Sequence, residues 1–98
     1  MYLKIHNPDG PTIAALCDAD VLGKVFCEGE LVLDLKAYSS FYKGEKVGEQ
    51  KAIAALQNAD SLNLVGKKAV ALAERLGLVE KARAKTVAGV PHVQVYRI

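Results

Sequence analysis

The segment "GVPHVQVYRI", residues 89–98, decides the fold because it ends the chain with a pattern typical of a β-strand. From His92 onward apolar and polar side chains alternate, so one face of this strand would be buried. Val93 and Val95 belong to the buried face. The opposite face carries polar and aromatic side chains, those of His92, Gln94 and Tyr96.

The first segment, residues 2–6, alternates in the same way, with Leu3 and Ile5 on its apolar face. Its polar face carries Tyr2, Lys4 and His6. Turn-forming residues at 7–11 and an apolar run at 12–17 predict a β-hairpin. If the first and last strands pair antiparallel, their polar faces would meet in three pairs, Tyr2 with Tyr96, Lys4 with Gln94 and His6 with His92.

The middle of the chain predicts one further strand and two helices. Residues 30–35 alternate with period two and predict a third strand, whereas residues 18–26 favour one short helical turn. Apolar residues at helical spacing predict helices over 49–58 and 61–76. Gly77 follows the second helix in the position of a C-terminal glycine cap.

These elements predict an α+β fold in a small single domain over residues 1–98. An N-terminal β-hairpin, a third strand, two central helices and one or more C-terminal strands would complete a mainly antiparallel sheet. The rings of Phe41 and Tyr42, in a mixed loop after the third strand, would cover an edge of the core. A chain of 98 residues that is 51% hydrophobic and 24% charged suits one modest core.

Charge is distributed unevenly along the chain. Residues 1–60 hold six lysines and nine acidic residues, a net charge of −3, whereas residues 61–98 hold seven basic and two acidic residues, a net charge of +5. The basic part favours a polyanionic partner, the alternative being an ordinary solvated surface. Without a signal-like or membrane-spanning apolar segment the chain is expected to be cytoplasmic.

No complete catalytic, cofactor or metal motif is present, so we expect no cofactor and no metal. Four residues of zinc-ligand type stand singly rather than in closely spaced pairs: Cys17, Cys27, His6 and His92. The two cysteines lack CxxC spacing and predict free thiols in a reducing compartment. Cys17 is a candidate nucleophile, although an inert buried cysteine is the favoured interpretation.

The segment from Asn63 to Lys68 resembles a phosphate-binding loop only superficially. One glycine before the lysines, with no Ser or Thr after them, does not build the amide cradle of such a loop. Gly66 would still permit a close approach to the helix, and Lys67 and Lys68 would be available to a phosphate. The alternative is a glycine at a helix crossing with two solvated lysines.

Several strings resemble one family of small archaeal proteins, the Domain of Unknown Function family 424. They are "CDADVLGKVFCEGELVLDL", "FYKGEKV", "NLVGKKAVALAERLGLV" and "GVPHVQVYRI", in this order over nearly the whole chain. The resemblance implies an archaeal cytosolic protein and brings no assigned activity. It also suits a role in information processing such as translation.

The leading functional interpretation is a binding module for RNA or a ribonucleoprotein, without enzymatic activity. Lysine and arginine side chains would contact phosphates, and rings would stack on bases. The alternatives are a protein-interaction adaptor or subunit and a small enzyme that uses Cys17 or His92. The candidate binding residues are Tyr2, Lys4, His6, Asn63, Gly66, Lys67, Lys68, His92, Gln94, Tyr96 and Arg97.

Overall fold

The computed structural model describes residues 1–7, 9–80 and 83–96, which form eight strands and three helices. The strands are β1 (Tyr2–His6), β2 (Ile13–Cys17), β3 (Val25–Glu28), β4 (Leu31–Asp34), β5 (Glu45–Lys46), β6 (Ser61–Val65), β7 (Lys85–Val87) and β8 (Val90–Tyr96). The helices are α1 (Ser39–Tyr42), α2 (Glu49–Asn58) and α3 (Lys67–Arg75). The α+β class is therefore confirmed.

Six strands form one sheet in the order β5-β1-β2-β6-β8-β7. All neighbours are antiparallel except β2 and β6, which are parallel. Strands β3 and β4 form a separate two-stranded sheet. The sheet is thus mainly antiparallel, as predicted, and the N-terminal hairpin is β1 and β2.

The two faces of the large sheet differ in what covers them. The first face packs its apolar side chains against α2 and α3, and we call it the helical face. Its buried residues are Leu3, Ala14, Leu16, Leu62, Leu64 and Val93. The opposite face, which we call the polar face, carries one row of register partners across four strands: Lys4, Ala15, Asn63 and Gln94.

A second apolar cluster covers one end of the polar face. There the β3–β4 hairpin and the segments flanking it pack on the last residues of β2 and β6. The buried members of this cluster are Cys17, Val21, Leu35, Val65 and Val90. The hairpin covers only this end, and the segment that joins β4 to α1 lies over the middle of the polar face, where Ala15 and Asn63 are buried.

The predicted pairing of the terminal strands is wrong. Strands β2 and β6 lie between β1 and β8, which consequently run parallel. The predicted pairs of Tyr2 with Tyr96, Lys4 with Gln94 and His6 with His92 therefore do not form. The physical reason is burial: β2 and β6 are almost wholly buried apolar segments and take the centre of the sheet, whereas alternating strands suit the positions further out.

The helix predicted over 61–76 begins later than expected. Ser61–Val65 is a strand with all five residues buried, Gly66 follows with a φ of 108°, and α3 starts at Lys67. A short apolar run fits a buried strand as well as a helix, so periodicity alone does not distinguish them. The glycine end is confirmed, since the Leu78 N–H donates to the Ala73 carbonyl and Gly77 has a φ of 75°.

The remaining segments contain three strands that the sequence did not predict individually, β3, β5 and β7, and one that it did, β4. The helical turn expected over 18–26 forms only in its first part, as two consecutive turns in which the Val21 and Lys24 N–H groups donate to the Asp18 and Val21 carbonyls. Its end is β3, which pairs with the predicted third strand, β4. That third strand consequently lies outside the large sheet. At the C-terminus, β7 precedes β8 through a tight turn in which Ala88 and Gly89 both have positive φ.

Helix α2 has the predicted bounds. Within the described part of the chain, none of the helices has the length and apolar character needed to cross a bilayer.

Candidate functional site

A cleft of about 330 Å³ opens on the polar face, between the sheet and the segment that joins β4 to α1. Its volume is at the lower end of the range for small-molecule pockets, about 300–1,000 Å³. Residues from both layers line it: Val32, Leu33, Asp34, Leu35, Tyr38, Phe41, Tyr42, Asn63 and Gln94. We refer to it below as the polar-face cleft.

The floor of the cleft contains two neighbouring side-chain amides. Asn63 lies in the middle of β6 and pairs with Gln94 of β8. Asn63 is only 8% exposed, and within the described residues its side chain makes no hydrogen bond. Within the described residues, every polar side-chain atom that is fully enclosed has a hydrogen-bond partner. The Asn63 amide has none, so it is not fully enclosed and opens into the cleft that it lines. An amide that is mostly enclosed but open at its polar end is available to a ligand, which makes Asn63 a candidate binding residue.

The wall opposite the sheet combines a carboxylate with aromatic rings. Asp34 Oδ1 accepts hydrogen bonds from the N–H groups of Lys36 and Ala37, at 3.1 and 2.8 Å, and so fixes the turn that leads to α1. Tyr38 is 66% exposed. Burial, and then the charge of Cys17, raises the pKa of Tyr42 to about 12, so its phenol stays protonated at neutral pH.

Lys4 and His6 hold α1 against the sheet. The Lys4 ammonium donates to the Ser40 carbonyl at 2.7 Å, and His6 Nε2 donates to the Phe41 carbonyl at 2.9 Å. The imidazole also stacks on the Phe41 ring, with centroids 4.1 Å apart. These two predicted binding residues therefore position the wall of the cleft through contacts within the chain.

Strand β8 presents the remaining polar-face candidates. Tyr96 is 71% exposed, and its hydroxyl donates to Gln94 Oε1 at 3.5 Å. His92 is half-buried, and burial followed by the charge of Lys85 lowers its pKa, so the imidazole is neutral at pH 7. Tyr2 lies across the sheet in the same row as His92.

Arg97, the last predicted binding residue, lies outside the described residues. The structure thus brings Asn63, Gln94 and Tyr96 together on neighbouring strands, whereas Tyr2 on β1 is separated from β8 by β2 and β6.

A second cavity of about 350 Å³ contains Lys67 and Lys68 and shares no lining residue with the polar-face cleft. Beside it, the Asp18 carboxylate accepts hydrogen bonds from the N–H groups of Lys68 and Ala69 at 2.9 and 2.8 Å. A Cβ at Gly66 would lie 2.3 Å from Asp18 Cγ. The close approach that Gly66 permits is therefore that of Asp18, whose charge caps α3.

The cysteines lie in different sheets. Cys17 is fully buried, and burial followed by the charges of Asp18 and Asp20 raises its pKa to about 12. Its thiol is accordingly protonated at neutral pH and a poor nucleophile. Cys27 is exposed, and both thiols are free. In residues 1–7, 9–80 and 83–96, no three His, Cys, Asp or Glu side chains cluster in a way that could hold a metal ion.

The sequence did not identify the wall of the cleft. Asp34 and Tyr38 belong to a segment remote from β6 and β8 in the chain, and only the fold of the β3–β4 hairpin brings them together. Phe41 and Tyr42 were expected at the edge of the core, and Tyr42 does pack against the second apolar cluster. Asn63 could be recognised in the sequence because it is a polar residue within the apolar run of β6.

The fold and the cleft define an α+β domain whose sheet has helices on one face and a partly covered polar site on the other. The chain belongs to the family described as Protein of unknown function (DUF424), whose model matches residues 6–98. The family resemblance is therefore confirmed.

A solved structure has the same fold. The crystal structure of an uncharacterized conserved protein from Methanopyrus kandleri matches with a TM-score of 0.77 and 28% identity. The match covers 99% of this chain and 90% of that one. Among curated proteins, none matches the chain. The archaeal origin implied by the resemblance stays a prediction for this chain.

Proposed function

We propose that this protein binds single-stranded RNA, free or within a ribonucleoprotein, through the polar-face cleft and the adjoining surface of β8. The observation that carries the proposal is the buried Asn63 amide, which has no hydrogen bond within the described chain and opens into the cleft beside Gln94. An amide of this kind has the donors and acceptor needed to bind a base edge.

The arrangement around that amide favours unpaired bases. Sequence-specific RNA-binding proteins stack splayed bases on aromatic rings and bind their edges through hydrogen bonds. Tyr38 and Tyr96 are mostly exposed, one on the cleft wall and the other two residues beyond Gln94 on β8. A sheet floor with exposed rings is also the usual platform for single strands.

Charge supplies the second part of the argument. In the basic part of the chain, residues 61–98, Lys85 lies on β7 beside β8, and Lys67, Lys68 and Arg75 lie on α3. Lys36 and Lys43 flank α1 in sequence, next to the cleft wall. Each phosphate that a lysine neutralises on a single strand steepens the salt dependence of the association constant by about 0.7 in logarithmic slope. Binding should therefore weaken steeply as salt is raised.

Fluorescence anisotropy tests the proposal with a labelled, unstructured RNA of mixed sequence, about ten nucleotides long. We expect measurable binding at about 50 mM salt that falls sharply by about 200 mM. Asn63→Ala should weaken binding by about tenfold, since a good contact to a base edge is worth about 1–3 kcal/mol. Asn58→Ala on α2 is the matched control and should leave binding unchanged. No RNA binding at low salt, or salt-independent binding, would overturn the proposal.

Two double lysine variants, which remove equal charge, test where the RNA backbone passes over the protein. Replacing Lys36 and Lys43 together by glutamine should flatten the salt dependence if phosphates pass beside α1. The sequence predicts the same contribution from Lys67 and Lys68, which line the second cavity. The double glutamine variant of that pair tests the prediction in the same titration.

An exposed apolar surface favours the adaptor as a second candidate function. Leu31 and Val32 on β4 are 56% and 61% exposed, and Val25 on β3 is also exposed. Val25 and Val32 lie on the same face of the hairpin, because Val25 pairs with Asp34, whereas Leu31 lies on the opposite face. Exposed apolar neighbours such as Val25 and Val32 often mark a protein contact. A specific partner that survives ribonuclease treatment and is lost with Val25→Lys, at a position that does not line the polar-face cleft, but not with Ile5→Lys on β1, would favour this candidate over RNA binding.

A further inference from the structure

The polar-face cleft contains a carboxylate, which bears on the kind of group it accepts. Asp34 lines the cleft, and its Oδ1 is engaged by the N–H groups of Lys36 and Ala37. Within the described residues, no hydrogen bond reaches its other oxygen, Oδ2. An ionised carboxylate only accepts hydrogen bonds and repels phosphate. The interior of the cleft therefore suits a base, with the RNA phosphates outside.

The amides on the floor complement that carboxylate. The Asn63 amide offers both donors and an acceptor, and the Gln94 NH₂ group, which makes no hydrogen bond within the described residues, adds further donors. The cleft thus combines a strong acceptor on the wall with donors on the floor. Its ligand should present adjacent N–H donors beside a carbonyl oxygen.

Among the four RNA bases, guanine has this pattern on one edge. Its N1–H and N2 amino groups are adjacent donors, and O6 beside them is an acceptor. Adenine and cytosine place a ring-nitrogen acceptor next to their amino group, and uracil places carbonyl oxygens on both sides of its single N–H. Each of these three would bring an acceptor against the Asp34 carboxylate.

We propose that the polar-face cleft binds one guanine base of the RNA. The free Oδ2 of Asp34 accepts from the N1–H and N2 groups, Asn63 donates to O6, and the exposed Tyr38 side chain stacks on the base. The volume of about 330 Å³ suits one nucleoside. This inference rests on the proposed RNA binding and adds the identity of the base.

The experiment uses four labelled heptamers of uridine in which the central residue is guanosine, adenosine, cytidine or uridine. We expect the guanosine heptamer to bind about tenfold more tightly than the other three. A fifth heptamer with central inosine, which lacks the N2 amino group, should lose much of this preference. The inosine heptamer tests the contact between Asp34 and the N2 amino group without any change to the protein.

Two protein variants assign the preference to Asp34. Asp34→Asn retains an oxygen for the turn before α1 but loses the charge, so the guanosine preference should disappear while binding of the uridine heptamer persists. Asp20→Asn, which removes an equal charge at the second cavity, should keep the preference.

The outcomes separate this inference from the proposal on which it rests. No binding of any heptamer overturns both. Equal binding of all four, or preference for another base, overturns the guanine assignment and leaves RNA binding standing. A guanosine preference that survives in folded Asp34→Asn overturns the role of Asp34.

Discussion

Replacing Gly66 by alanine tests how the end of β6 is joined to α3, the junction that carries Asn63 to the floor of the cleft. Gly66 has a φ of 108° and a ψ of 157°, a conformation adopted almost only by glycine. An alanine Cβ would also lie 2.3 Å from Asp18 Cγ and 2.6 Å from Asp18 Cβ. The substitution therefore strains the backbone and displaces the carboxylate that caps the helix.

The two costs give the expected magnitude. The backbone conformation costs about 1–3 kcal/mol for a residue other than glycine. Loss of the cap on the N–H groups of Lys68 and Ala69 adds about 0.5–2 kcal/mol. We expect Gly66→Ala to lower the free energy of unfolding by about 1.5–5 kcal/mol, a large share of the roughly 5–15 kcal/mol of a typical domain.

Urea unfolding followed by far-ultraviolet circular dichroism measures the change. Gly10→Ala is the control, since a Cβ at Gly10 has no heavy atom within 4 Å, and it should stay within about 0.5 kcal/mol of the wild type. Adding Asp18→Gly to Gly66→Ala should cost less than the sum of the single changes, because the clash is then absent. A loss below about 1 kcal/mol for Gly66→Ala, or strict additivity, would refute the reasoning.

Three further predictions concern pH and the support of α1. The fold lowers the pKa of His92, so as the pH falls below 6.5 this imidazole takes up a proton in the unfolded chain before it does so in the folded protein. The free energy of unfolding should therefore fall below pH 6.5, and His92→Gln should reduce that fall in urea titrations. Because burial raises the pKa of Cys17 from 9.0 to about 12, stability should be lost as the pH rises above 9.0, by up to about 4 kcal/mol from this thiol at about 1.4 kcal/mol per pKa unit. Cys17→Ala should make the alkaline loss shallower, and an unchanged profile would contradict the assignment. His6→Ala removes the ring stack and the hydrogen bond to Phe41, so it should cost about 1–2 kcal/mol in urea unfolding and weaken RNA binding, whereas a variant with wild-type stability and affinity would show that α1 does not depend on this contact.

The sequence predicted which face of a strand is polar better than it predicted the neighbours of that strand. Period two in β1 and β8 correctly places Lys4 and Gln94 on the polar face, because alternation reports burial directly. Pairing depends on the other strands. The continuous burial of β2 and β6 assigns them to the centre, and an apolar run as short as Ser61–Val65 carries too little periodicity to be distinguished from a helix.

The sequence predicted only part of the candidate site, again because local pattern does not report which distant segments come together. Asn63 and Gln94 were candidates from local sequence, and the structure makes them register partners. Asp34 and Tyr38 could not be assigned to the same site, since they come from a separate two-stranded sheet and the segment after it. The position of such a hairpin depends on tertiary packing of Leu35 and its neighbours against the polar face, which local pattern does not encode.

The most direct measurement is nuclear magnetic resonance of the side-chain amides during titration with the mixed-sequence RNA. If RNA binds in the polar-face cleft, the NH₂ resonances of Asn63 and Gln94 should shift in proportion to saturation, while that of Asn58 on α2 stays in place. RNA binding that leaves the Asn63 and Gln94 amides unperturbed would contradict the cleft as the site, and the absence of any shift at low salt would contradict RNA binding itself.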